Sequence, residues 1–200
     1  MRLLMSNKLH VFSNHFFPWL VANVLGFTAI GILILLFPSV ITISGFFVTT
    51  FIIGIPVSFA QWIALRRILR TSILWTMTIP VAIPLGFFFI RVIPEVIFPL
   101  KDDDSIATLT IIFLIIGLII GLVQWFILRK VLSKSYFWVL GSSVGIGVSF
   151  WAIMVTELIN QSTVLSYAVI ALVYSIIPGI VLSGLIRYQG QSTNAIENTN

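Results

Sequence analysis

Long apolar runs alternate with short polar breaks along this chain. No Asp, Glu, Lys or Arg occurs from Leu9 to Leu65, and further charge-free stretches cover Thr71–Ile90, Ser105–Leu128, Ser135–Thr156 and Leu158–Ile186. A helix of about 20 mostly apolar residues crosses a bilayer core, and the first stretch is long enough for two. The breaks predict spans near residues 16–37, 46–65, 73–93, 106–128, 137–158 and 164–186. The expected fold is an all-α membrane protein. One six-span transmembrane domain occupies residues 1–188, built as three repeated helical hairpins, and a polar disordered tail follows at 189–200. Trp19, Trp75 and Trp138 stand near the starts of the odd spans, where indole rings favour the membrane interface. Pro80 and Pro84 each remove a backbone donor and predict a kink in span 3.

Composition strengthens this picture. Of the 200 residues, 59% are hydrophobic and 8% charged, whereas soluble domains carry about 25% charged residues. Mean hydropathy is +1.14. The net charge of +5 comes from basic residues that flank apolar runs. The expected partners are therefore the bilayer and its anionic head groups on the cytoplasmic side, with no nucleic acid. The absence of cysteine excludes disulfides and Cys-based metal or nucleophile sites. The first apolar run is too long for a signal-peptide core and reads as an uncleaved span.

Charge also predicts orientation. Arg2, Lys8, Arg66, Arg67, Arg70, Arg129, Lys130, Lys134 and Arg187 are 9 of the 11 basic residues, and a six-span chain puts them all on one side. Arg91, Lys101 and five of the six acidic residues fall on the other. Cytoplasmic loops carry the Lys/Arg excess. Both termini are thus expected in the cytoplasm of a multipass protein of the cell membrane.

One segment occurs twice, 63 residues apart. Span 2 reads Gly54-x3-Ser58-x2-Gln61-Trp62-x2-Leu65-Arg66, and span 4 reads Gly117-x3-Gly121-x2-Gln124-Trp125-x2-Leu128-Arg129. Span 6 aligns as Ser175-x3-Gly179-x2-Leu182-Ser183-x2-Ile186-Arg187, without Gln-Trp. Such self-similarity marks repeated architecture. Positions i, i+4, i+7 and i+11 share a helical face. The small residues and the amide therefore form one stripe, suited to close packing and cross-helix hydrogen bonding. Trp62, Arg66, Trp125, Arg129 and Arg187 are expected interface anchors. Gln61 and Gln124 admit two readings, a packed seam or a cytoplasm-facing polar site for a substrate or ion.

Other candidates are sparse. Asn23 is a strong amide in span 1, suited to a cross-helix hydrogen bond. Arg91 and Glu157 lie near the outer ends of spans 3 and 5, and ionisable residues in spans are functional candidates. Gly141–Gly147 is a small-residue surface without the order of a dinucleotide fingerprint. His10 and His15 share no helical face, so no metal site is expected. Asp102–Asp104 read as a solvated loop. The chain lacks the P-loop, H-E-x-x-H and G-x-S-x-G motifs and a central titratable relay. No catalytic residue or cofactor is expected, and the chain reads as a non-enzyme.

On its two Gln-Trp-x-x-Leu-Arg copies, the chain resembles a loose group of uncharacterised multipass bacterial membrane proteins with repeated G-x6-Q-W-x-x-L-R segments. The likeness runs from about Trp19 to Arg187 and implies fold and location, with no activity attached. A three-hairpin plan also resembles mitochondrial carriers, whose P-x-D/E-x-x-K/R signature is missing here. The expected role is a helix-packing subunit or scaffold that associates with another membrane protein or with its own copies. The alternative is a small-molecule carrier or substrate-binding subunit of a membrane transporter. Six spans in about 200 residues resemble the vitamin-binding subunits of energy-coupling importers in size.

Overall fold

A computed structural model describes residues 2–36, 46–97, 106–158 and 162–197, with side chains at 15–36, 54–66, 69–86, 88–89, 106–156 and 162–190. The described residues form helices joined by short turns, with no strand among them. The helices are α1 (Arg2–Leu36), α2 (Phe46–Leu69), α3 (Thr78–Ile97), α4 (Ile106–Leu128), α5 (Phe137–Leu158) and α6 (Thr163–Glu197), with a 3-10 turn at Ile73–Met77 before α3. Four segments among them are long and apolar enough to cross a membrane: His15–Leu36, Ile106–Leu128, Phe137–Thr156 and Thr163–Gly190. The chain is a membrane protein by this measure.

Each helix packs on its neighbour in sequence, and α6 packs on α1, so the six close into a ring. Helix α4 shows how the sequence permits this. Its buried positions are Ile116, Gly117, Ile119, Ile120, Gly121, Gln124 and Leu128, while Ile111, Leu118, Leu122 and Phe126 are exposed. Both glycines and the glutamine are on the inward side and these exposed positions are all large and apolar, as expected where the surrounding solvent is itself apolar. Helix α5 repeats the outward band with Leu140, Val144, Val148, Trp151 and Val155.

The small residues of each even helix meet the odd helix that follows it around the ring. A Cβ on Gly54 of α2 lies 2.8 Å from the Pro80 nitrogen of α3. On Gly117 of α4 it lies 2.8 Å from the Ser142 carbonyl oxygen of α5, and on Gly179 of α6 it lies 2.9 Å from the Phe16 ring of α1. Close approaches also occur within the expected hairpins: a Cβ on Gly26 of α1 lies 2.7 Å from Val57 Cα of α2, and on Gly141 of α5 it lies 2.9 Å from Val181 Cγ2 of α6. Within α5, Gly145 admits Pro178 and Gly147 admits Leu114, so the Gly141–Gly147 surface is packed from both sides.

Three expectations need revising in detail. The entry to span 3 is a tight turn. Ser72 caps it, accepting from the Leu74 N–H at 3.2 Å, and the Thr76 and Thr78 hydroxyls donate to the Ile73 and Trp75 carbonyls, both at 2.8 Å. Pro80 then falls in the first turn of α3, where no intrahelical donor is lost. Its neighbour Ile79 donates its N–H to Ser58 Oγ of α2 at 3.2 Å. Helix α6 continues beyond Ile186 to Glu197, through most of the expected tail. Trp19, Trp75 and Trp138 are not interface rings: all three have 0% exposure.

Candidate functional site

The centre of the ring is a neutral polar network close to the ends of α2 and α4. Trp138 Nε1 donates to Gln124 Oε1 at 2.9 Å, and Gln124 Nε2 donates to Gln61 Oε1 at 3.3 Å. Trp75 Nε1 donates to the same Gln61 oxygen at 3.2 Å. Gln61 Nε2 donates to Asn23 Oδ1 at 2.8 Å, and Asn23 Nδ2 donates to the Trp19 carbonyl at 2.8 Å. One relay therefore joins α5, α4, α2 and α1, with a branch to the turn before α3. Asn23, Gln61 and Gln124 all have 0% exposure.

Local sequence puts each partner in place. Gln61 and Trp75 are 14 residues apart, and so are Gln124 and Trp138. Both intervals contain a loop closed by a residue of positive φ, Arg70 at 49° and Lys134 at 55°. Both then pass through a serine three residues before the tryptophan. Trp75 N–H donates to the Ser72 carbonyl and Trp138 N–H to the Ser135 carbonyl, each at 3.0 Å. The same short loop therefore returns an indole to the amide that precedes it.

The three indoles form the apolar part of the centre. Trp138 stands edge-on to Trp19 at 5.2 Å and to Trp75 at 6.1 Å between ring centroids. Offset and edge-to-face arrangements are the favourable ones for aromatic pairs. Leu65, Leu128 and Leu182 pack in the same cluster.

Around α1 and α6 the pattern changes. Leu182 occupies the place held by Gln61 and Gln124 in the aligned segments, and Trp19 is the tryptophan beside it. Trp19 Nε1 is buried and has no hydrogen-bond partner among the described residues. Ser142 Oγ and Tyr174 Oη are unpartnered too, although the Tyr174 hydroxyl lies near both Ser142 and Gln61. Buried polar groups are normally paired or hydrated, so these atoms set the centre apart from a fully satisfied core.

The expected anchors sit outside the network. Trp62 Nε1 donates to the Thr71 carbonyl at 3.3 Å, and the Arg66 guanidinium lies 4.8 Å from the Trp62 ring centroid. Arg129 lies 5.2 Å from the Trp125 ring and 4.8 Å from that of Phe126. In both copies the arginine covers the tryptophan that follows the glutamine, a cation–π arrangement. Arg187 is half-buried on α6.

The structure thus brings Asn23, Gln61 and Gln124 together. The side chains of His10, Arg91 and Glu157 lie outside the described residues, as do residues 101–104. No group of three metal-ligating side chains occurs among the described residues. Sequence reasoning missed Trp75, Trp138 and Tyr174 as parts of the centre. The repeated 14-residue interval from glutamine to tryptophan is the signal that could have found the first two. No family model, curated protein or solved structure matches the chain.

Proposed function

We propose that the chain is a six-span protein of the cell membrane with both termini in the cytoplasm. In this reading it acts without catalysis, through helix–helix and lipid contacts, as a packing subunit or scaffold. Gln61 and Gln124 are the heart of an internal repeat whose third copy has lost its amide. The observation that carries the proposal is the fate of the intramembrane amides. Every amide oxygen of Asn23, Gln61 and Gln124 accepts, and every amide nitrogen donates, inside the protein. Groups used in this way hold helices together and are not presented to a passing solute. The test is purification of the full chain in mild detergent. A stoichiometric membrane-protein partner or a defined homo-oligomer is expected, and a clean monomer that captures nothing counts against the role.

A second reading has one observation in its favour. Trp19 Nε1, Ser142 Oγ and Tyr174 Oη are buried with no well-formed hydrogen bond among the described residues, and a small polar solute is one way to satisfy them. This reading makes the chain a carrier or a substrate-binding subunit. It predicts ligand-induced thermal stabilisation in a metabolite screen. A broad metabolite screen that shifts nothing removes it.

A further inference from the structure

We infer that the cleft between the loop-side ends of α5 and α6 binds one anionic glycerophospholipid, its phosphate on Lys134 and an acyl chain along Gly184. This rests on the reading that the chain sits in a bilayer with its basic loops at the cytoplasmic face. The cleft holds about 340 Å³ and is lined by Lys134, Phe137, Val181, Gly184, Leu185 and Tyr188. That is within the range of roughly 300–1,000 Å³ usual for small-ligand sites.

The shape comes from one residue. A Cβ built on Gly184 meets nothing within 4 Å, whereas Gly117, Gly121 and Gly179 are each filled by a neighbouring helix. Gly184 therefore leaves an exposed strip of α6 that no described residue covers. Phe137, Val181 and Leu185 make the walls of the cleft apolar. Beyond it, exposed Leu140 and Ile180 continue the apolar surface toward the middle of the two helices, so an alkyl chain leaving the cleft stays on apolar side chains.

The mouth of the cleft is cationic and held in place. Ser133 donates both its N–H, at 3.1 Å, and its hydroxyl, at 2.6 Å, to Gln189 Oε1. This pins the loop before α5 to the far turns of α6. The next residue, Lys134, takes a positive φ of 55°, and its ammonium lies 4.0 Å from the Tyr188 ring centroid. Lys134 is a cation at neutral pH as an ordinary lysine is, and a hydrogen bond to Tyr188 raises its pKa further. An ammonium has three donors, and the Tyr188 face leaves room for a phosphate oxygen. A single cation above an apolar cleft complements an anionic head group on an alkyl chain.

The experiment is native mass spectrometry of the full chain in mild detergent. It is titrated with phosphatidylglycerol and with phosphatidylcholine of the same acyl chains. One phosphatidylglycerol is expected to be retained in preference to phosphatidylcholine. Lys134→Ala should weaken retention about fivefold, the weight of one lysine against an anionic lipid surface. Gly184→Leu should abolish retention while leaving the thermal midpoint unchanged or raised, since its side chain fills the cleft and no packed contact. Lys130→Ala removes an exposed charge outside the cleft and should change nothing. Equal loss with Lys130→Ala, or retention that survives Gly184→Leu, overturns the assignment. A chain that stays soluble without detergent defeats the bilayer reading itself; one that needs detergent yet retains no phosphatidylglycerol defeats the cleft alone.

Discussion

Gln124 donates to Gln61 across 3.3 Å, although the two residues are 63 positions apart and occupy matching places on different helices. The aligned residues of two similar segments are thus each other's partners. Gln61 is the more heavily used of the two. Its side chain takes part in bonds to Trp75, Gln124 and Asn23, and that of Gln124 in bonds to Trp138 and Gln61 only.

This asymmetry predicts an order of stability. Gln61→Met keeps the side-chain length and removes three bonds, and Gln124→Met removes two. At the modest values of hydrogen bonds between membrane helices, the losses are about 2–5 and about 1–3 kcal/mol. Thermal or denaturant unfolding in detergent should rank wild type above Gln124→Met, and Gln124→Met above Gln61→Met. The reverse order is incompatible with the relay.

The gap beside Trp19 makes a gain-of-interaction prediction. Leu182→Gln restores the amide that the other two segments carry and offers an oxygen to the buried, unpartnered Trp19 Nε1. An unpaired polar group in a core costs about 1–3 kcal/mol, and pairing this one offsets the cost of burying a new amide. Leu182→Gln should therefore unfold at or above the wild-type temperature. Leu185→Gln, on the same buried side of α6 but without an orphan donor assigned to it, should fall well below. If both variants drop equally, the vacancy is not where the alignment puts it.

These residues also show how far the chain could be read beforehand. The stripe of Gly117, Gly121 and Gln124 follows from helical period alone, and it packs as period predicts. Trp19, Trp75 and Trp138 do not follow from it, because lipid and protein core are both apolar. An indole near a helix start gains from either environment, and composition has no means of choosing. What decides is the amide 14 residues upstream of Trp75 and Trp138, a long-range match across a loop. For Trp19 even that is absent. Its neighbour on α6 lies at the other end of the chain, and only the closure of the ring brings it near. The same closure adds the packing of α6 on α1 to the contacts between helices adjacent in sequence.

Glycines at the helix contacts should separate by what a methyl group would meet. A Cβ on Gly121 lies 2.9 Å from Val139 Cα and 3.0 Å from Ser142 Cβ, so α4 and α5 must part to admit it. Overpacking of this kind costs about 1–3 kcal/mol. At Gly184 there is open space, and alanine gains up to about 1 kcal/mol of helix propensity. Gly121→Ala should lower the unfolding midpoint and Gly184→Ala should hold or raise it. A loss at both positions would mean that glycine is needed for its backbone and not for close approach.

The last prediction concerns which side of the membrane the loops occupy. The chain has no cysteine, so a single introduced thiol is a unique label. In the proposed six-span arrangement nine of the 11 basic residues fall on one side, and a Lys/Arg excess marks the cytoplasmic side. The Ser133–Gln189 contact adds a constraint independent of charge: the loop before α5 and the far turns of α6 must lie at the same face. Lys130→Cys and Asn200→Cys should therefore behave alike, reacting with a membrane-impermeant maleimide only after cells are permeabilised. Asp103→Cys, in the acidic loop, should react in intact cells. If Lys130→Cys and Asn200→Cys both label from outside, the orientation is inverted and the ring survives. If they label from opposite sides, α5 and α6 cannot pack as they do, and the ring itself is wrong.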